Sequence, residues 1–374
     1  MPRPPGSALV IALRYLGDVL LATPLARALR SRYPDCAVDM LVFSGTEGML
    51  RNNPDLRDVI TIAERGGRDA TLAMLRRLWR RYDMALVPQP GDRPHLFALA
   101  AAPLRYGFVP AQAGQAWWKR LSLTRPLVAE PGSHRVQENE RLARAAGLGP
   151  TGALVAPTAG LQPGDWPARL ARSLPDGPPF DPARPYAVIH PYPRWRYKRW
   201  HVPGWQALIA GLEGDGLQLV LTGGPQADET AYADALLDSL PPGQRRAILR
   251  VQGRLDLAET ADLLRHARLY VGPDTGTTHL AAACGAPTLA LFGPTDPRAW
   301  GPTPASGLDR PWERAAPRQR RGNVILLQNS GRGCVPCQQE GCQRRRDSAS
   351  DCLDSLDAGA VLAAARDLLG ETAR

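Results

Sequence analysis

Short apolar runs alternate with stretches of helical spacing from residue 8 onward, stop, and then begin again; nothing else in the chain narrows its fold as much. "ALVIAL" at 8–13 is apolar at every position, the mark of a strand covered on both faces and so of a parallel sheet between helices. "GDVLLATPLARALRSRYP" then spaces Val19, Leu20, Thr23, Leu25, Ala28 and Leu29 as one helix face. Further strands are expected at 37–42, 58–63, 83–88 and 104–109, with helices near 68–81, 92–101 and 136–146. From Gly149 to Pro185 the composition shifts to Pro, Gly and scattered polar residues, a natural interdomain boundary. Alternation resumes with strands at 186–191, 217–224, 247–251, 267–272 and 287–293. Helices are expected at 203–213, 227–239, 256–266 and from 276.

A chain of 374 residues exceeds what one hydrophobic core holds. The expected class is therefore α/β: two Rossmann-like, doubly wound parallel-sheet domains facing a cleft. The first domain is expected over 1–150, a Pro-rich linker over 151–184 and the second domain over 185–355. A final helix, "LDAGAVLAAARDLL" within 356–374, is expected to pack back on the first domain.

With 44% apolar and 22% charged residues the composition is that of an ordinary globular protein, which argues against disorder. The N-terminal apolar run is broken by Arg14 and Asp18, and no later run approaches the ~20 residues of a membrane helix, so a cytoplasmic protein is expected. The formal charge of +10 and pI near 9.7 imply attraction to polyanions: phosphorylated substrates, anionic lipid headgroups or nucleic acid. No aromatic-rich recognition motif accompanies the basic clusters, which argues against nucleic acid. Peripheral contact with an anionic membrane surface stays open.

The polar residues gather at strand ends. In "RLYVGPDTGTTHLAAACG" a buried strand exits through Asp274, and Thr275, Gly276 and Thr277 begin a helix. Such a start offers amides and a positive dipole end to an anion, while Asp274 or Thr275 as a plain N-cap is the other reading. His279 lies one turn on, and "FGPTD" repeats the pattern after the next strand with Gly293, Pro294 and Thr295. His190 ends the strand at 186–191, and Lys198 and Arg199 follow it; Arg199 reads as a solvated surface cation. Thr222, Gly223 and Gly224 make a further small-residue turn. In the first domain Gly17 and Asp18 occupy the first strand-to-helix turn, with Asp18 either a cap or a general base, or both. Lys119 and Arg120, after Trp117 and Trp118, are acceptor-binding candidates within the unassigned stretch 108–135; core packing of the two tryptophans is the alternative. The basic, Pro-rich insertion 303–322 has no role that the sequence discloses.

Cys36 and Cys284 read as small buried hydrophobes. Cys334, Cys337, Cys342 and Cys352 form a CxxC followed by two more cysteines. A closed structural zinc site is the first reading, and a disulfide or free thiols the alternative.

"RYLGDVLLATPLARALRSRYP", "HPYPRWRYKRWHVPGWQALIAGL", "VLTGGPQADE" and "DLLRHARLYVGPDTGTTHLAAACGAPTLALFGPTDPRAWGP", in that order, resemble glycosyltransferase family 9, the ADP-heptose:lipopolysaccharide heptosyltransferases. That resemblance runs through nearly the whole chain. It implies a GT-B fold and an inverting transfer that requires no metal or other cofactor, from an ADP-sugar donor to a phosphorylated glycolipid such as the lipopolysaccharide inner core. By the same resemblance Asp18 is the base and Lys198 the cation at the donor phosphates, while Asp274, Thr275, Gly276 and His279 form the donor signature. Thr222 and Gly224 then border the nucleotide, and Gly293 to Thr295 the far wall. Two alternatives remain open at this point: a transferase of another nucleotide sugar onto a different glycan, and a non-catalytic nucleotide-sugar-binding module.

Overall fold

The computed structural model describes residues 4–175 and 177–371; residues 1–3, Asp176 of the expected linker and 372–374 of the expected final segment lie outside them. The chain divides into two compact units at Pro157/Thr158.

The first unit runs β1 (Ser7–Ala12), α1 (Leu16–Arg32), β2 (Ala37–Phe43), β3 (Asp58–Ile62), α2 (Gly67–Leu78), β4 (Met84–Val87) and α3 (Asp92–Ala101). It continues with β5 (Leu104–Val109), α4 (Ala113–Ser122), β6 (Arg125–Val128) and α5 (Arg135–Ala145). Its six strands are all parallel, in the order β3-β2-β1-β4-β5-β6. The apolar run of β1 lies between β2 and β4, Ala8 pairing with both Val38 and Met84, and is buried at every position after Ser7. α1 and α5 pack together on one face, and α2, α3 and α4 form the layer on the other, as right-handed crossovers in this strand order require. Leu9, Ile11 and Leu41 meet Met74, Leu78 and Phe97 of that second layer to form a core. The stretch 108–135, unassigned from sequence, holds α4 and β6.

The second unit comprises α6 (Trp166–Ser173), β7 (Tyr186–Ile189), α7 (Val202–Gly214), β8 (Gln218–Leu221), α8 (Ala227–Asp238), α9 (Pro242–Ala247) and β9 (Leu249–Arg250). There follow α10 (Leu257–Arg265), β10 (Leu269–Pro273), α11 (Gly276–Ala283), β11 (Thr288–Phe292), α12 (Pro297–Trp300), β12 (Arg318–Arg321), β13 (Val324–Gln328), α13 (Asp351–Asp354) and α14 (Ala358–Glu371). Its sheet is ordered β12-β13-β11-β10-β7-β8-β9. Apart from the antiparallel edge strand β12, this repeats the order of the first sheet. The insertion 303–322 thereby acquires a structural role. It supplies β12 and the buried Trp312, which packs on Phe292, Val324 and Leu326 with the Arg321 guanidinium 5.2 Å from its ring.

The final helix, α14, spends its apolar face inside the second unit, where Val361, Ala364, Ala365 and Leu368 join Trp200, Trp205, Leu208 and Leu212 in one core. Gly211 of α7 is what allows this approach, because a Cβ there would lie 2.6 Å from the Leu362 methyl groups. Leu368 is 2% exposed. Leu368→Ala should therefore cost about 2–5 kcal/mol, read as a lower denaturant midpoint at unchanged m-value; a change below about 0.5 kcal/mol, the range of a surface site, would place the helix outside the core.

Candidate functional site

In a sheet ordered this way the strand connections run in opposite directions from the first and fourth strands, leaving a crevice at their carboxyl ends. Each unit places candidate residues at its own crevice.

In the first unit these strands are β1 and β4. Gly17 and Asp18 lie in the first turn of α1, directly after β1, and Gln89 follows β4. The Gln89 amide Nε2 donates to Asp18 Oδ1 at 3.3 Å. Asp18 also accepts from the backbone of Tyr15, the residue that caps α1. The carboxylate thus serves the helix start, and the two readings of Asp18 do not exclude one another. Desolvation by burial pushes its carboxyl above the usual range, drawn back in part by Arg14, Arg135, Gln89 and Tyr15. A carboxylate raised in this way is a better proton acceptor near neutral pH than an ordinary surface aspartate. Gln89 carries no motif, and its position after an apolar strand run was the only signal in the sequence.

In the second unit the corresponding strands are β7 and β10. Lys198, in a short turn after β7, places Nζ 2.6 Å from Asp274 Oδ2 at the end of β10. Thr295 Oγ1, beyond β11, donates to the same oxygen at 2.6 Å. Asp274 is 8% exposed. Burial alone would raise its carboxyl, but the Lys198 charge and hydrogen bonds from Lys198 and Thr295 hold it below the usual range. Asp274 therefore anchors the lysine, and Thr275 is the N-cap of α11, accepting from Thr278 N at 3.3 Å. The amides of Gly276 and Thr277 point from a helix start and have no acceptor within the helix. His279 and His190 are buried beside this group, and neither Nδ1 has a partner among the described residues. Desolvation lowers both rings to about 4.

Gly293 is required sterically, since a Cβ would lie 2.7 Å from Leu353. The carbonyls of Gly293 and Thr295 accept from Gln328 Nε2 at 3.0 and 3.3 Å, and that of Pro294 from Gln338 N at 2.8 Å. Gln328, at the end of β13, is a second positioning residue that sequence reasoning missed. Thr222 is buried at the end of β8, and at the Gly223–Gly224 turn the Gly224 amide is already engaged by Glu229 Oε1 at 2.7 Å.

Two expectations change. Lys119 is 5% exposed and paired with Asp92 at 2.6 Å, so it is not a cation open to an acceptor; Arg120 beside it is exposed. Arg199 is not a solvated cation but stacks over Tyr192 and Tyr232 at 4.3 and 5.1 Å. Among the described residues no group of three or more His, Cys, Asp or Glu side chains is arranged to hold a metal ion. Of the four C-terminal cysteines, Cys352 is buried and Cys337 half-buried, while Cys334 and Cys342 are exposed.

Because the folded state keeps His279 and His190 neutral down to about pH 4, the unfolded chain binds more protons between there and ~6.5. Their contribution to stability is intact above pH ~6.5 and is lost progressively as pH falls toward 4. His279→Gln should flatten that decline in urea midpoints between pH 7 and 5, and the imidazole should show no titration above pH 5.5 by NMR.

The family model of glycosyltransferase family 9 (heptosyltransferase) matches residues 71–340. Lipopolysaccharide heptosyltransferase 3 of Escherichia coli is 28% identical over 297 residues, covering 78% of this chain and 84% of that protein. Among solved structures, E. coli ADP-heptose lps heptosyltransferase II superposes with a TM-score of 0.73 at 21% identity, over 98% of this chain and 100% of that one. A family 9 glycosyl transferase from Veillonella parvula superposes with a TM-score of 0.74 at 18% identity, over 98% and 97%. The fold is thus GT-B, built of two Rossmann-like domains, and the chain belongs to glycosyltransferase family 9, a family of heptosyltransferase enzymes.

Proposed function

We propose that the protein transfers heptose, with inversion and without a metal ion, from ADP-heptose to the inner core of lipopolysaccharide. The observation that carries this reading is the joining of Lys198, Asp274 and Thr295 at the start of α11. A lysine beside helix amides is a site for a diphosphate, and relatives in the family are named as heptosyltransferases acting on lipopolysaccharide.

The chemistry assigned to the residues is a single displacement. Asp18 takes the proton from an acceptor hydroxyl, whose oxygen bonds to the anomeric carbon as the bond from that carbon to the diphosphate breaks. Lys198 and the first amides of α11 meet the charge that develops on departing ADP. Thr222, Gly224 and the 293–295 loop would border the nucleotide. Asp274 and Gln89 position the two reacting groups and do no bond chemistry themselves.

Asp18→Asn should lower kcat by about 10²–10⁴-fold with ADP affinity within a few-fold of wild type. In wild type, the acid limb of kcat/KM should lie above the ordinary carboxylate range, because a raised Asp18 must ionise before it can act. Lys198→Ala should weaken ADP binding about tenfold or more by calorimetry; unchanged affinity would remove the phosphate assignment. In a thermal-shift series, ADP-heptose should stabilise the protein above UDP- and GDP-sugars, and EDTA should leave turnover unchanged. Equal shifts from all donors would refute the choice of nucleotide, and loss of turnover on chelation the metal-free route.

A further inference from the structure

Seven large apolar side chains are exposed among the described residues, and all seven lie in the first unit. Six of them sit on the single layer α2–α3–α4. Leu72 and Trp79 are exposed on α2 and its end (46% and 63%), Leu96 and Leu99 on α3 (39% and 47%), and Trp117 and Leu121 on α4 (63% and 79%). Their spacings, seven, three and four residues, each return to the same side of a helix. α2 packs against α3 and α3 against α4, so the three exposed stripes lie side by side on the outer surface of one layer. The inner sides of these helices are already used, Met74, Leu78, Phe97 and Ala98 in the sheet core and Ala116 against Val109. The outward side chains are therefore surplus to folding.

The charge around them has one sign. Between residues 64 and 125 the chain carries eleven Lys and Arg against four Asp and Glu. Arg68, Arg76, Arg77, Arg80 and Arg120 are exposed on or beside the same helices, and the Arg80 guanidinium lies 5.7 Å from the Trp79 ring. A helical layer with tryptophan and leucine outward and arginine around them has the composition of surfaces that lie in the headgroup region of a bilayer. A cationic rim is drawn to anionic lipid. A contiguous patch of this kind on a monomer marks an interaction site.

We propose that the outer surface of α2–α3–α4 docks onto a membrane rich in anionic phospholipid, with Trp79, Trp117 and Leu121 entering the acyl boundary and the arginines meeting lipid phosphates. The assignment stands on this surface alone and holds whichever sugar the enzyme transfers, so its test uses no donor.

The test is flotation of the full chain with vesicles of phosphatidylglycerol and phosphatidylethanolamine, beside vesicles of phosphatidylcholine alone. Wild type should float with the anionic vesicles and hardly with the neutral ones, and binding should weaken as salt rises. The double variant Trp117→Ser/Leu121→Ser should lose about tenfold or more in vesicle partition while keeping its melting temperature, since both side chains are exposed. Arg76→Gln/Arg77→Gln should reduce binding to anionic vesicles and leave any residual binding to neutral ones as it was. Failure of wild type to float, or equal flotation by the Trp117/Leu121 variant, would overturn the proposal. So would sedimentation showing a wild-type dimer that the same double substitution dissociates, because the patch would then be covered by a second copy of the chain.

Discussion

The strand order of the two sheets is the constraint from which the rest follows. In each, the first strand lies beside the fourth, and the chain leaves their carboxyl ends toward opposite faces. No helix can fill the space above that pair of strands, so side chains there are free of core packing. Asp18 and Gln89 occupy it in the first unit, and Lys198, His190 and Asp274 in the second. The apolar runs of β1, β7 and β10 are what hold these positions. Each is buried along nearly its whole length, which fixes where it ends and where the first polar residue emerges.

Within the second crevice the electrostatics are arranged around one buried carboxylate. Asp274 loses hydration and regains it through Lys198 and Thr295. Leaving such a group unpaired would cost several kcal/mol, so the lysine is held in place before any ligand arrives. With the pair neutral as a whole and His190 and His279 uncharged, the positive character of the pocket comes from oriented donors: the ammonium hydrogens and the amides at the start of α11. Oriented donors discriminate by position. A diphosphate whose oxygens reach both Lys198 and the α11 amides would gain from each, whereas a mobile counterion would gain little from either.

How much of this could be read in advance depended on whether a residue's role leaves a local trace. Strands β1, β7, β10 and β11 are continuous apolar runs, and the helix start at 275–277 follows one of them directly; pattern sufficed. α4 and β6 were hidden by small and polar residues in "PAQAGQAWWKRLSLTR", where Ala116, Lys119, Ser122 and Leu123 are buried. A lysine in that series reads as solvent-facing, and its burial depends on Asp92, 27 residues earlier, which no local window contains. Gln89 and Gln328 were missed for the same reason: each acts through one amide on a neighbouring strand end. For the final helix, amphipathicity says that a face is buried, not against what; within the second unit the close approach of Gly211 and Leu362 shows one such partner.

The cysteine-bearing segment supports the second crevice through its backbone and packed side chains. Gln338 N holds the Pro294 carbonyl, Leu353 limits Gly293 to a bare Cα, and Arg346 stacks 4.5 Å from the Trp195 ring, three residues before Lys198. The segment therefore braces both loops that flank the Lys198–Asp274 pair. Cys352 is packed beneath it, with its thiol pushed up to about 12 by burial and by the neighbouring Cys337 and Cys342. A thiol that stays protonated behaves as a small apolar side chain. At this position shape is what the fold requires of cysteine, since Sγ would lie 3.2 Å from a Cβ at Gly293 and so closes the floor of the loop.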